Sequence, residues 1–179
     1  RVLADAARAE LRDQDPECWK AFLLLLGGGL RRSEADALLW THIDFDKGVL
    51  RVVGRKTVDS AADVPLGGEV LSELKRLSET PKGLFVLRGD DRPHNPSQRT
   101  YRANRTLQRL AGWLRAHGVT DRTPLHSLRK EAGSLINQAA GVHAASVFLR
   151  HSTIGVTASH YLDDRTKISN PLFKQAAES

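Results

Sequence analysis

A tyrosine near the C-terminal end and several basic residues spaced along the chain have the chemistry of a phosphoryl-transfer site. Tyr161 is one of two tyrosines in 179 residues, and its phenol oxygen can act as a nucleophile towards phosphorus. Basic side chains can hold phosphate oxygens while negative charge develops on them. The candidates for that role are Arg31, Lys56, His126 and Arg129 in a His-x-x-Arg pair, and His151, ten residues before Tyr161.

Taken one at a time, these residues also fit structural roles. Arg31 could pair with Glu34 at the start of a helix, and Lys56 could be a solvated lysine in a turn. His126 could be a helix-start histidine, and Arg129 an arginine whose stem packs at the edge of an apolar face. Their order along the chain is more informative than any single member.

That order resembles the catalytic domain of the tyrosine recombinases, the phage integrase family. The resemblance runs from about residue 22 to residue 165. Five short motifs carry it: Gly29-Leu-Arg31-Arg-Ser-Glu34, a lysine (Lys56) before Val64-Pro-Leu66, His126-x-x-Arg129, Leu149-Arg-His151-Ser152, and Tyr161.

The resemblance implies a role for each residue around a DNA phosphate. Arg31 and Arg129 would clamp the scissile phosphate, since two bidentate guanidinium groups can stand in for a metal there. His126 and His151 would hydrogen-bond its non-bridging oxygens or assist proton transfer. Glu34 would orient or buffer the site.

The resemblance also implies covalent chemistry. Tyr161 would attack phosphorus to form a 3′-phosphotyrosyl link, and Lys56 would protonate the departing 5′ oxygen. Because the link conserves the energy of the broken phosphodiester, rejoining needs no ATP. The sequence has no P-loop and no HExxH or CxxC pair, so we expect neither a cofactor nor a metal. Tyr101 is the weaker alternative nucleophile.

Three positions depart from the usual family pattern. Tyr161 follows the second histidine by ten residues instead of nine, and His160 occupies the nearer position. Arg150 stands where glycine usually precedes the second histidine, and Lys130 stands where histidine often follows the second arginine. These departures concern the geometry of the site more than the assignment.

The elements that must position these residues are mainly helical. Asp15-Pro16 is typical of a helix start, and the Gly27-Gly-Gly29 run is typical of a helix end. Ser33, with an acidic residue three positions later, is typical of a capped helix start. Short β-branched runs at 49–53 and 62–66 predict a hairpin, with Pro65 at an edge or at a strand end. The fold class is therefore α+β, mainly α with a small antiparallel sheet. The predicted helices cover residues 3–12, from 16, from 33, 69–78, 97–116, 126–140, 142–150 and 154–162.

The predicted helix 97–116 carries an arginine stripe. At 100° per residue four of its five arginines share an arc about 120° wide, apart from the apolar face. Such a stripe can follow a phosphate backbone, although a solvated helix face is the alternative. Seven arginines against two aspartates between Arg88 and Arg115 supply most of the chain's net charge of +6. The residues predicted to bind DNA are Arg99, Arg102, Arg105 and Arg109.

The amino-acid composition indicates the cellular compartment in which the protein is expected. The single cysteine excludes an internal disulfide framework and favours a reducing compartment. The longest apolar run, 21–26, is too short to span a bilayer. We expect a cytoplasmic, nucleoid-associated protein encoded by a bacterium or phage.

The predicted function is a site-specific DNA recombinase. Residues 1–165 would form the catalytic domain, and the tail 166–179 could dock on a neighbouring protomer. The resemblance implies a separate core-binding domain, which these 179 residues lack, and a homotetramer on a specific double-stranded site, although this fragment could be monomeric. Three alternatives stay open: a type IB topoisomerase-like enzyme, an inactive DNA-binding module, and an RNA-binding protein, which would need more than 6% aromatic residues.

Overall fold

The computed structural model describes residues 2–53, 62–79, 83–90 and 101–150. Helices dominate these parts of the chain, and a small antiparallel sheet accompanies them, so the predicted fold class is confirmed. The elements are α1 (Val2–Leu11), α2 (Pro16–Phe22), α3 (Arg32–Ala37), β1 (Ile43–Asp44), β2 (Val49–Val52), β3 (Ala62–Pro65), α4 (Gly68–Ser78), α5 (Asn104–Ala116) and α6 (Pro124–Leu149).

The sheet has the order β1-β2-β3 with both pairings antiparallel. Leu50 on the central strand pairs with Ile43 on one side and with Val64 on the other, and all three side chains are buried. Pro65 ends the edge strand β3, where its missing N–H is tolerated, as predicted. The two-residue strand β1 was not predicted, because two residues are too few to show an alternating pattern.

The second helix begins as its sequence predicts. The Asp15 carboxylate accepts a hydrogen bond from the backbone N–H of Cys18 at 3.2 Å, and Pro16 occupies the first helical position. After Phe22 the helix widens into a π-helical segment, Leu23–Gly27, before the predicted glycine turn ends it. Helix α2 packs on α5, and the π-helical segment packs on α6, so this stretch lies at the centre of the core.

Two helices differ from their predicted extents. Helix α5 begins at Asn104, so the prediction of a helix through residues 101–103 is wrong. The backbone N–H groups of Arg102 and Ala103 donate to the buried Asp36 carboxylate at 3.1 and 2.7 Å, and this tertiary contact replaces a helical turn. Helix α6 is interrupted at Gly141 (φ 84°), which confirms the predicted break between two helical stretches.

Candidate active site

The glycine turn before Arg31 is held against the C-terminal end of α6. Gly29 has φ +56°, and a Cβ there would lie 2.5 Å from the Phe148 ring. Glycine meets both demands, because it adopts positive φ at little cost and permits the close approach. The turn thereby brings Arg31 beside residues more than a hundred positions away in sequence.

Glu34 caps the start of α3. The prediction that Ser33 begins this helix is wrong: α3 starts at Arg32, with Arg31 at the N-cap position. Glu34 Oε2 accepts from the backbone N–H of Arg31 at 2.7 Å, and Oε1 accepts from Arg31 Nη1 at 2.6 Å. The pairing of Arg31 with Glu34 that the sequence suggested is therefore present. It leaves the Arg31 side chain 45% exposed.

Arg129 is more deeply enclosed than its place at the border of an apolar face indicated. Its residue exposure is 3%, and its Nη1 and Nη2 donate to the main-chain carbonyls of Gly29 and Leu149. His126 lies one turn earlier on α6 and is exposed. The two residues thus sit on adjoining positions of one helix, as the i, i+3 spacing predicted.

Arg150 joins this cluster, although the sequence reasoning gave it no role. It caps α6 in the left-handed conformation (φ 53°, ψ 48°), which explains physically why glycine is favoured at such a position. Its Nη2 donates to Glu34 Oε2 at 2.8 Å. The one signal in the sequence was the departure from glycine, and it did not reveal where the side chain goes.

The pKa values of Glu34 and Arg150 reflect this enclosure. Burial alone would raise the pKa of Glu34, but the charge of Arg150 and the hydrogen bonds from Arg31 outweigh it and hold that pKa below its ordinary value. Burial also lowers the pKa of Arg150, while the charge of Glu34 opposes the shift. An ionised carboxylate therefore stays at the centre of a cationic cluster.

A cleft of about 590 Å³ opens beside the cluster. None of the described residues that line it is acidic, so its walls favour an anionic ligand. Three predicted site residues from two distant parts of the chain meet there. The basic lining consists of Arg31, Arg32, Arg115, Arg122, His126 and Arg129.

Tyr101 also lines this cleft, with the Arg32 guanidinium 3.9 Å from its ring centroid. The prediction that Tyr101 lies on the arginine-bearing helix is wrong, since it precedes α5. The alternative nucleophile is therefore close to the basic lining, which sequence distance did not suggest.

The arginine stripe is not continuous. Arg102 lies before α5, with its guanidinium 3.7 Å from the Phe85 ring centroid and its Nη2 on the Leu87 carbonyl at 2.5 Å, so its predicted place on the helix stripe is wrong. Arg105 and Arg109 are one turn apart on α5 and both exposed. Arg109 donates to both carboxylate oxygens of Asp15, at 2.8 and 3.1 Å.

Other predicted residues lie outside the described part of the chain: Lys56, Arg99, His151, Tyr161 and the tail 166–179. Within the described ranges, no group of three or more His, Cys, Asp or Glu residues is placed to hold a metal ion. Nor does any described helix have the length and hydropathy needed to cross a membrane.

The sequence model of the phage integrase family matches residues 4–167. No curated protein sequence shows significant similarity. Among solved structures, the Tn1549 transposon integrase in complex with a circular intermediate DNA shares 18% identity at a TM-score of 0.66, over 89% of this chain and 59% of that one. The XerA recombinase shares 18% at 0.64, over 88% and 54%.

A lambda integrase tetramer bound to a Holliday junction shares 17% identity at a TM-score of 0.63, over 94% of this chain and 48% of that one. At such identities the likeness shows a common fold. The chain spans between about half and three-fifths of the length of these structures.

Proposed function

The chain belongs to the phage integrase family, and from that membership we propose that it is the catalytic domain of a site-specific DNA recombinase. It would cleave and rejoin DNA strands through a 3′-phosphotyrosyl intermediate. The observation that carries the proposal is the cleft in which Arg31, His126 and Arg129 meet. Residues nearly a hundred positions apart supply cations to one surface whose described lining contains no acid.

The roles proposed for these residues follow from what the transition state needs. Negative charge spreads over the phosphate oxygens during transfer, so cations fixed in advance stabilise that state more than the ground state. Arg129 is fixed by two main-chain carbonyls, and Arg31 by Glu34. Such anchoring avoids the reorganisation that a freely moving arginine would need.

The covalent step is proposed for residues outside the described ranges. The Tyr161 oxygen would form a bond to phosphorus as the bond to the 5′ oxygen breaks, and Lys56 would give that oxygen its proton. His151 and His126 would hydrogen-bond the non-bridging oxygens, and one of them would take the phenol proton as Tyr161 attacks. In the reverse step a 5′-hydroxyl attacks the phosphotyrosine, so atoms and electrons balance without a co-reactant.

The partner is proposed to be double-stranded DNA carrying a specific recombination site. The basic cleft supports a phosphate-rich partner, and the solved relatives include integrases bound to DNA. Residues 1–165 would form the catalytic domain, and residues 166–179 would dock on a neighbouring protomer. A homotetramer on DNA is the assembly we propose, because exchange of strands between two duplexes needs four cleavage events.

A suicide substrate tests the proposal. The chain is incubated with a pool of nicked duplexes with randomised bases around the nick, and SDS-resistant protein–DNA adducts are counted on a gel. We expect an adduct with the wild-type chain and none with Tyr161→Phe. Tyr101→Phe is the matched control, because it removes the other phenol and should leave the adduct in place.

Two results would contradict the mechanism. One is the absence of any adduct from the wild-type chain at saturating DNA. The other is an adduct that survives Tyr161→Phe and disappears with Tyr101→Phe, which would move the nucleophile to the tyrosine that lines the cleft.

A further inference from the structure

Arg150 lies between the residues proposed to clamp the phosphate. Its Nη2 donates to Glu34 Oε2 at 2.8 Å and to the Gly29 carbonyl at 3.2 Å, and its Nη1 donates to the Phe148 carbonyl at 2.8 Å. The side chain is 11% exposed. These charge-assisted bonds therefore form largely out of water, where they are stronger.

Both acceptors of Arg150 Nη2 are shared with a clamp arginine. The Gly29 carbonyl also accepts from Arg129 Nη1. Glu34 also accepts from the backbone N–H and Nη1 of Arg31. A substitution of Arg150 would therefore affect Arg129 through the shared Gly29 carbonyl and Arg31 through the shared Glu34 carboxylate.

The main chain at Arg150 makes its own contact. Its carbonyl accepts from Arg31 Nη2 at 3.2 Å, and its φ of 53° lies in the left-handed region that favours glycine. The left-handed conformation has a steric cost for arginine, which carries a Cβ, and none for glycine. The carbonyl contact would survive replacement by glycine, so the contribution of the side chain can be measured separately.

Charge balance shows what the side chain does. Three guanidinium groups surround one carboxylate, and Glu34 Oε2 lies 4.0 Å from Arg129 Nη1. With Arg150 in place, Oε2 is occupied at 2.8 Å, and Arg129 keeps its carbonyl contacts. Without it, Glu34 Oε2 would keep the Arg31 backbone N–H at 2.7 Å but would lose its contact with a guanidinium at 2.8 Å. The Gly29 carbonyl would keep Arg129 as its donor and lose Arg150.

We infer that Arg150 is a positioning residue of this chain: by holding Glu34 and the Gly29 carbonyl, it sets the directions in which Arg31 and Arg129 face the cleft. The inference rests on the proposed function, because the clamp is a part of it. Arg150 acts through these neighbours, and no contact of its own with DNA is required.

The test compares Arg150→Gly and Arg150→Lys with the wild-type chain. Cleavage is followed as single-turnover adduct formation on a duplex recovered from the nicked pool, at saturating DNA, and affinity for that duplex is measured separately. We expect Arg150→Gly to cleave about 10- to 100-fold more slowly, the usual range for lost support of a site residue. Affinity should change by less than about 3-fold, since phosphate contacts elsewhere dominate it.

Arg150→Lys should recover part of the rate, because one ammonium can take the place of Nη2 beside Glu34 and the Gly29 carbonyl but cannot also replace Nη1 at the Phe148 carbonyl. Arg8→Gln is the matched control: Arg8 on α1 forms an exposed ion pair with Glu69 on α4, and its loss should leave the cleavage rate unchanged. Arg150→Gly is expected to fold, because glycine favours the left-handed position.

A second measurement is independent of cleavage. The backbone N–H of Arg31 donates to Glu34, so its hydrogen exchange reports whether that carboxylate is held. We expect exchange at Arg31 to be at least several-fold faster in Arg150→Gly. Wild-type cleavage rates or unchanged Arg31 protection in that variant would overturn the inference. A wild-type chain that forms no adduct, with Arg31 protection that depends on Arg150, would instead overturn the proposed function alone.

Discussion

Glu34 and Glu73 each lie among arginines, yet the arginines use their donors differently. At Glu73 on α4, Arg12 donates from Nε and Nη2, Arg76 donates from Nε and Nη2, and Trp19 Nε1 donates at 3.0 Å. Most of the donors therefore end on a single carboxylate. The hydrogen bonds from Arg12, followed by the other donors, overcome burial and lower the pKa of Glu73 to about 2.

At Glu34 most of the donors end elsewhere. The side chains of Arg129 and Arg150 donate to main-chain carbonyls of the glycine turn and of the end of α6, and Arg31 divides its donors between Glu34 and another carbonyl. Carbonyls hold a guanidinium in place without cancelling its charge. The comparison therefore separates a cluster in which two arginines donate to one carboxylate from a cluster in which three arginines surround one carboxylate and donate mainly to carbonyls.

The largest effect is expected at Arg129. Arg129→Lys retains the charge but loses the planar fork that reaches two carbonyls, and lysine is a poor substitute where two directions must be served at once. We expect cleavage to fall by about 100-fold or more, as for the loss of one preorganised donor at a charged transition state. Single-turnover adduct formation measures the rate.

The same substitution, Arg129→Lys, should also lower the stability of the folded chain. The free energy of unfolding, measured in urea, should fall by about 1–3 kcal/mol, because buried carbonyls lose donors. Cleavage within about 3-fold of the wild-type rate would show that the carbonyl-anchored cluster has no special role in catalysis.

Glu73→Gln should act on stability alone. The pKa of Glu73 is lowered in the folded chain to about 2 from 4.5, so its contribution is fully present above pH 4.5 and is lost as pH falls towards 2. We expect the variant to be about 2 kcal/mol less stable at pH 7, and the difference from wild type to shrink between pH 5 and pH 2. Urea unfolding at several pH values measures this.

Glu69→Gln, on the same helix, is the matched control. The Glu69 side chain is 65% exposed in its ion pair with Arg8, so its loss should cost less than about 1 kcal/mol. Cleavage should be unchanged in both variants. A loss of cleavage in Glu73→Gln that exceeds its loss of stability would erase the distinction between the two clusters.

Parts of the fold and of the Glu34 cluster could be predicted from the sequence. The helix start at Asp15, the glycine turn and the break at Gly141 were predictable, because each depends on one or two residues and their backbone preferences. The meeting of Arg31 with Arg129 was expected from the resemblance alone, since no local pattern connects residues 98 positions apart.

What could not be predicted depends on partners distant in sequence. Helix α5 starts later than predicted because the Asp36 carboxylate accepts from the N–H groups of residues 102 and 103. The sequence around residues 102 and 103 gives no indication of this contact, since Asp36 is more than 60 positions away. Arg102 stacks on Phe85 for a similar reason. The position of Arg150 among the clamp residues depends on the packing of the glycine turn on α6. The hydrophobic periodicity of the sequence does not predict this packing.

The smallest effects are expected on α5, where the same comparison can be repeated with one pair of residues. Arg109 is satisfied by Asp15, whose hydrogen bonds raise the pKa of Arg109, whereas Arg105 is exposed on the same side of the helix. If α5 follows a phosphate backbone, Arg105→Gln should reduce the slope of log affinity against log salt concentration by about 0.9. Arg109→Gln should reduce it by less, because Arg109 must leave Asp15 before it can bind phosphate.

Asp15→Asn sharpens this last test. Asparagine keeps the N-cap of α2 but removes the charge that holds Arg109, so stability should change by less than about 1 kcal/mol. Affinity for DNA at low salt should rise a few-fold, and the salt slope should steepen towards that of two available arginines. Equal slopes for Arg105→Gln and Arg109→Gln, with no effect of Asp15→Asn, would mean that an internal carboxylate does not restrain a surface arginine. The distinction between the Glu73 and Glu34 clusters would then fail as well. Arginines bound to carboxylates would bind a phosphate as readily as arginines bound to carbonyls.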